Sequence, residues 1–242
     1  MELVLKTHWL YVLDNVLTDQ ECDELIEESE KSMKKSDTVG KKIEGYRTSF
    51  NTFISKHNKK LNSIKEMNII SETLTDTKLE QHEDVCIVRY EKGQEYKAHH
   101  DYFCRKTMAN EFLRGGDRMF SLLYFLNDDI EGGGTIFTHL NMEIRPKKGR
   151  LILWRNLING KQNEDSMHAG MPVISGVKYV AVKWIREEKF ESGKIYNDNT
   201  QPISIKFENV NFNYNTGSNT LRDLSIDFKP GTKNAIVGST GS

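Results

Sequence analysis

His99 and Asp101 stand two residues apart in EYKAHHDYF (95–103), a segment that reads as a strand. Side chains two apart on a strand leave the same face, so this pair sets an imidazole beside a carboxylate, able to grip one metal ion. His100, between them, should point the other way. Such pairs are common on protein surfaces, and alone this one decides nothing. A further ligand must come from elsewhere in the chain, and His168 in SMHAGMPV is the candidate. Two histidines and a carboxylate form a facial donor set with open positions, which suits non-haem Fe(II) oxygen chemistry. The same donors serve zinc in hydrolases, so the ligands alone leave both metals open.

A second group, one that binds a dicarboxylate, would separate the two. Lys178 begins the strand-like run KYVAVKWI and would share a face with Val180, Val182 and Trp184. If that face is buried, the ammonium needs an anion. If Val177, Tyr179, Ala181 and Ile185 face the core instead, Lys178 is an ordinary exposed lysine. On the first reading its partner is the distal carboxylate of 2-oxoglutarate, to which the Tyr90 hydroxyl can also donate. On the second, Tyr90 is a residue of the core rim.

The elements around these residues follow from periodicity. Residues 8–16 (HWLYVLDNV) read as a strand. Thr18 then opens a helix: Thr18 and Glu21 have capping-box spacing, and Cys22, Leu25, Ile26 and Met33 follow at roughly helical intervals. Arg47, Thr48 and Ser49 lie in a polar segment before Phe50 and Phe53. A second helix is predicted from about Lys59 to Leu74, with Leu61, Ile64, Met67, Ile70 and Leu74 on one side. From residue 84 the period changes to two. Strands are predicted over 84–90, 95–103, 118–127, 135–137, 150–156 and 177–185, with turns at 92–94 and 132–134. This predicts a mostly β, α+β architecture: a small antiparallel barrel or jelly roll with helical support.

The chain has 242 residues, 37% hydrophobic and 29% charged, with a formal net charge of −1. That suits a soluble domain with a small appendage and excludes a global field drawing it to nucleic acid or an acidic membrane. The lysine-rich stretches 31–42 and 56–65 read as solvated faces. Cys22, Cys86 and Cys104 are widely spaced, form no disulfide or zinc pattern, and suit a reducing compartment. The start of the sequence lacks a secretory leader pattern, and no apolar run approaches the ~20 residues that span a bilayer. A cytoplasmic protein with no membrane partner is the expectation.

The stretch from about Trp9 to Glu188 resembles the catalytic domain of the prolyl 4-hydroxylase family. The resemblance is carried by VLDNVLTDQECDELI, RTS (47–49), RYEKGQEYKAHHDYF (89–103), RMFSLLYFLND (118–128), EGGGTIF (131–137), RPKKGRLILWRN (145–156) and SMHAGMPVISGVKYVAVKWIRE (166–187). It implies a double-stranded β-helix, a jelly-roll variant. It also implies a dioxygenase that uses Fe(II), 2-oxoglutarate and O₂, with ascorbate as reductant, hydroxylates a peptidyl proline and releases succinate and CO₂. The same chemistry on a non-prolyl or free amino-acid substrate is the alternative. Carried over by position, the resemblance implies His99, Asp101 and His168 as iron ligands and Lys178, Tyr90 and Thr135 as 2-oxoglutarate contacts, with Trp184 as a wall behind them. Arg47, Ser49, Glu83, Tyr96 and Arg118 resemble substrate-side or supporting residues. Many members have an acidic residue before the threonine, where this chain has Gly134. The segment 104–117 is particular to this chain and is expected to shape the substrate groove.

The dioxygenase domain is expected over 1–190, a polar linker over 191–202 and a β fragment over 203–242. The fragment resembles the first strands of an ABC-type ATPase, with Tyr214 where that family stacks adenine. It ends in GSTGS from Gly238, short of the Gly-Lys-Ser/Thr of a phosphate-binding loop. No ATP binding is expected of it, and a partial reading of a longer fusion is the expectation. An ATP-binding transporter component with an appended dioxygenase is the alternative of another class.

Overall fold

Thr18 caps the first helix as its spacing predicts. The Glu21 N–H donates to Thr18 Oγ1 at 3.3 Å, and the Thr18 N–H donates to the Glu21 carboxylate at 2.8 Å. The computed structural model describes residues 1–36, 46–191, 205–213 and 219–228. Helix α1 spans Asp19–Glu30, so Met33 lies beyond it, and α2 spans Asn62–Thr75, starting later than Lys59. Asp76, in the left-handed conformation with φ 53°, ends α2.

Eight strands form the large sheet: β1 (Glu2–Lys6), β2 (Leu10–Asp14), β3 (Lys34–Lys35), β4 (Phe50–Ile54), β5 (Val85–Tyr90), β7 (Arg118–Phe125), β10 (Leu151–Arg155) and β12 (Lys178–Arg186). Their order is β1-β2-β10-β7-β12-β5-β4-β3, antiparallel throughout. The small sheet holds β6 (Tyr96–His99), β8 (Thr135–Phe137), β9 (Met142–Ile144) and β11 (His168–Gly170), in the order β9-β8-β11-β6. The predicted jelly-roll architecture is what forms.

Alternation along the central strands divides the core in two. Ile87, Tyr124, Leu153, Ala181 and Ile185 pack with Leu25, Ile64 and Met67 of the helices. Val88, Phe125, Ile152, Trp154, Val180 and Val182 pack on the other face, with Trp9 and Phe137. Strand β12 is therefore buried on both sides. This settles the choice left open for Lys178, whose side chain shares the second face and is 2% exposed.

The short or exposed strands β1, β3, β4, β9 and β11 have no counterpart in the predicted set. The strand predicted over 95–103 ends at His99. Asp101 therefore does not follow strand alternation, and its position beside His99 has another cause, described below.

The chain divides into two units, Met1–Lys194 and Ile195–Ser242. In the second, β13 (Ile205–Asn213) pairs antiparallel with β14 (Asn219–Phe228). Tyr214 and the segment from Gly238 lie outside the described residues.

Ile64 is fully buried between α2 and the large sheet. Ile64→Ala should lower unfolding free energy by about 2–5 kcal/mol, read by chemical denaturation. A loss under about 0.5 kcal/mol, the level of an ordinary surface change, would show that α2 does not anchor this core.

Candidate metal centre and cavity

Register brings the two imidazoles together. His168 on β11 pairs directly with His99 at the end of β6, and their ring centroids lie 4.3 Å apart. Asp101 sits past the end of β6, where the chain bends away from the small sheet. Its Oδ2 accepts a hydrogen bond from Ser121 Oγ of β7 at 2.6 Å, which ties it to the large sheet. One carboxylate oxygen lies 3.7 Å from His99 Nε2 and the other 3.9 Å from His168 Nε2. Ligand atoms of all three side chains fall within 4.8 Å of one another.

Each imidazole is oriented by a main-chain carbonyl. His99 Nδ1 lies 2.8 Å from the Lys97 carbonyl oxygen, and His168 Nδ1 lies 2.9 Å from that of Ser166. An Nδ1–H donated to each carbonyl leaves both Nε2 lone pairs facing Asp101, the tautomer a metal requires. Burial, reinforced by His168, pushes the His99 pKa down to about 3. Burial alone would raise Asp101, but His168, His99 and Arg118 outweigh it and hold the carboxyl at about 2. A neutral imidazole and an ionised carboxylate are the metal-binding forms.

Ser121 is itself held. Asn156 Nδ2 donates to Ser121 Oγ at 2.8 Å, and Trp154 Nε1 donates to Asn156 Oδ1 at 3.0 Å. Trp154, Asn156 and Ser121 are fully buried. Tyr96 stacks on His99 at 3.6 Å, and Trp154 meets His168 edge-on at 4.6 Å. The sequence reading missed this chain of hydrogen bonds. Its signal was one hydroxyl residue, Ser121, on the face of β7 that otherwise presents Leu123 and Phe125.

The three ligands open on a cavity of about 1140 Å³ whose wall includes Tyr90, Thr135, Lys178 and Trp184. Lys178 lies directly across from Tyr90 in the sheet, with its Nζ 5.1 Å from the Tyr90 ring. No carboxylate pairs with it among the described residues, and burial alone pushes its pKa down to about 7. Thr135 Oγ1 and Trp184 Nε1 are buried without hydrogen-bond partners. Two orphaned polar atoms and an unpaired ammonium around one cavity fit an anionic organic ligand. Gly133, at φ 67°, lies where an added Cβ would be 3.1 Å from Lys178 Cδ, so the missing side chain makes room for the lysine stem. At Gly134 an added Cβ would collide with the Glu143 carboxylate of β9, which fills the space a side chain there would take.

The remaining predicted site residues divide. Arg47, Tyr96 and Arg118 line the cavity, whereas Ser49 and Glu83 do not. Arg47 lies over the Tyr96 ring at 4.9 Å and donates Nε–H to Ser49 Oγ at 3.1 Å. Glu83 accepts from Arg118 at 2.7 and 2.9 Å and from Arg186 at 2.6 Å. Ser49 and Glu83 are thus buried supports behind the wall. Arg186, which the sequence reading missed, completes the Glu83 cluster.

Residues 85–186 match the 2OG-Fe(II) oxygenase superfamily. A mimivirus protein (Acanthamoeba polyphaga mimivirus) assigned as a prolyl 4-hydroxylase is 34% identical over 184 residues, covering 74% of this chain and 75% of its own. The chain belongs to the prolyl 4-hydroxylase family. It is an Fe(II)- and 2-oxoglutarate-dependent dioxygenase. Prolyl 4-hydroxylase 2 of Arabidopsis thaliana is 31% identical, covering 82% of this chain and 74% of its own. Among solved structures, the viral collagen prolyl hydroxylase of Paramecium Bursaria Chlorella virus-1, in its 2-oxoglutarate complex, superposes with TM-score 0.59 at 28% identity. That match covers 74% of this chain and 95% of the viral one.

Two measurements test the centre. Ser121→Ala should weaken Fe(II) or Mn(II) affinity about 10- to 100-fold by titration calorimetry, because Asp101 loses the donor that sets its carboxylate. Unchanged affinity would show that Asp101 is placed without the hydroxyl. For 2-oxoglutarate, the amine of Lys178 must be charged to hold a carboxylate. Its pKa is about 7 in the free cavity. Affinity should therefore be flat below that pH and fall above it, approaching about tenfold per unit, with proton uptake on binding. A flat profile from pH 6 to about 9, in anaerobic Mn(II)-loaded protein, would remove Lys178 from the contact.

Proposed function

We propose that this enzyme hydroxylates a proline within a peptide or protein chain. His99, Asp101 and His168 would hold Fe(II). Lys178, with Thr135 and Tyr90, would hold the distal carboxylate of 2-oxoglutarate. The observation that carries the co-substrate assignment is the buried, unpaired ammonium of Lys178 in the same cavity as the three ligands. A water or hydroxide ligand of a zinc hydrolase would give that amine no partner.

When bound, iron with 2-oxoglutarate and O₂ supplies the oxidising equivalent, and the co-substrate leaves as succinate and CO₂. The protein positions and excludes. The imidazoles of His99 and His168 and the ionised Asp101 offer one open face to the cavity. Lys178 fixes the far end of the diacid. Trp154, Val180 and Trp184 keep water from the reacting centre. Arg47, Tyr96 and Tyr102 stand on the wall where substrate would enter. The names of the relatives support proline as the substrate, and ascorbate is our proposed reductant.

We read the catalytic domain as residues 1–190, the linker as 191–202 and the ABC-like fragment as 203–242, and we place the protein in the cytoplasm. The unpaired state of Cys22, Cys86 and Cys104 supports a reducing compartment. Among the described residues, no helix is long and apolar enough to cross a membrane.

Incubation with proline-containing peptides, Fe(II) and 2-oxoglutarate should add one oxygen per turnover by mass, matched by succinate. His168→Ala should abolish both products. Succinate without any oxygenated peptide would point to a non-prolyl or free amino-acid substrate. Persistent turnover in the variant would remove His168 as a ligand.

A further inference from the structure

The cavity wall extends beyond the iron and co-substrate contacts to the outer end of the large sheet, where Ser32, Lys34, Lys35, Asn51, Thr52 and Phe53 line it. Register shows which of these face inward. Lys34 pairs with Asn51, Asn51 with Val88, and Val88 with Val180. Residues directly opposite each other on neighbouring strands share a face, and Val88 and Val180 lie on the inner one. Lys34 therefore ends a cross-strand row that runs back to the centre of the cavity. Phe53 ends the next row, through Cys86 and Val182, and is 58% exposed.

Cations outnumber carboxylates among the described lining residues. Among the described lining residues, Asp101 is the one carboxylate, and it serves the metal. The charge of Arg118 is met by Glu83, and that of Lys178 is reserved for the co-substrate. Lys34 is exposed, and no carboxylate pairs with it among the described residues.

We propose that Lys34 and Phe53 form a specificity subsite for acidic peptide segments, Lys34 meeting a substrate carboxylate and Phe53 a neighbouring apolar side chain. This rests on the reading of the enzyme as a peptidyl-proline hydroxylase. Spacing sets where the acidic residue falls. From β12 to β3 is three strand spacings and from β7, which anchors Asp101, it is four. At ~4.8 Å each these make roughly 14–19 Å, or about four to six residues of extended peptide between the target proline and the acidic group.

The test uses peptides with a central proline and two glutamates about four to six residues away, on either side, beside twins carrying serine or lysine there. Binding is read by fluorescence anisotropy on Mn(II)- and 2-oxoglutarate-loaded protein without O₂, and turnover by the mass gain. We expect the glutamate peptide to bind about two- to fivefold more tightly than its serine twin, an advantage that shrinks as salt rises. Lys34→Glu should reverse the ranking of glutamate and lysine peptides, Lys34→Gln should level it, and Phe53→Ala should weaken both. Lys34 lies on an exposed edge strand, so these variants keep the core intact. Equal binding of the twins, or a ranking unaltered by Lys34→Glu, overturns the subsite. Ranked binding with no hydroxylated product instead overturns the proline reading and leaves the acidic preference standing.

Discussion

A buried amine with no anion beside it destabilises a folded chain when it is charged, and the cavity at the candidate site holds one such amine among the described residues. Three lysines among the described residues are buried: Lys56, Lys178 and Lys183. Lys56 donates to the carbonyls of Glu80 and His82, and Lys183 donates to Asn68 Oδ1. Lys178 has aromatic rings near it and no acceptor among the described residues. Strand β12 fixes its direction, because Lys178 shares the face of Val180 and Val182, which looks into the cavity. Under the proposed assignment a bound diacid would relieve the desolvation, and co-substrate affinity and the cost of the free cavity would be two sides of one interaction.

The candidate metal ligands depend on a different kind of constraint. His99 and His168 are neighbours by sheet register, but Asp101 reaches them from a bend and is held by the opposite sheet. The hydrogen bond from Ser121 is thus a link between sheets as well as a support for a ligand. The buried Glu83 cluster strengthens the same region. Glu83 receives both Arg118 at the start of β7 and Arg186 at the end of β12, so the two central strands are clamped next to the iron site. Here the charges are paired and hydrogen-bonded, and burial is tolerated without a ligand.

Much of this was legible in the sequence where a periodic signal was strong. The strands around 118–127 and 177–185, the capped first helix, and the His-Asp-His-Lys set were readable because each has a pattern or a donor type that chemistry restricts. The orientation of Lys178 was not, because β12 is apolar on both faces and alternation cannot say which face meets the cavity. Asp101 met His99, though by leaving the strand rather than by following it. Ser121, Asn156 and Arg186 were invisible because their partners lie 20 to 103 residues away and only folding brings them together. Ser49 and Glu83 were read as substrate-side or supporting, and geometry selects the second.

Gly134 and Glu143 occupy one place between them. A side chain just before Thr135 would have to stand where the neighbouring strand already lodges the Glu143 carboxylate. A side chain at residue 134 would displace the exposed, flexible Glu143 carboxylate from this place rather than share it.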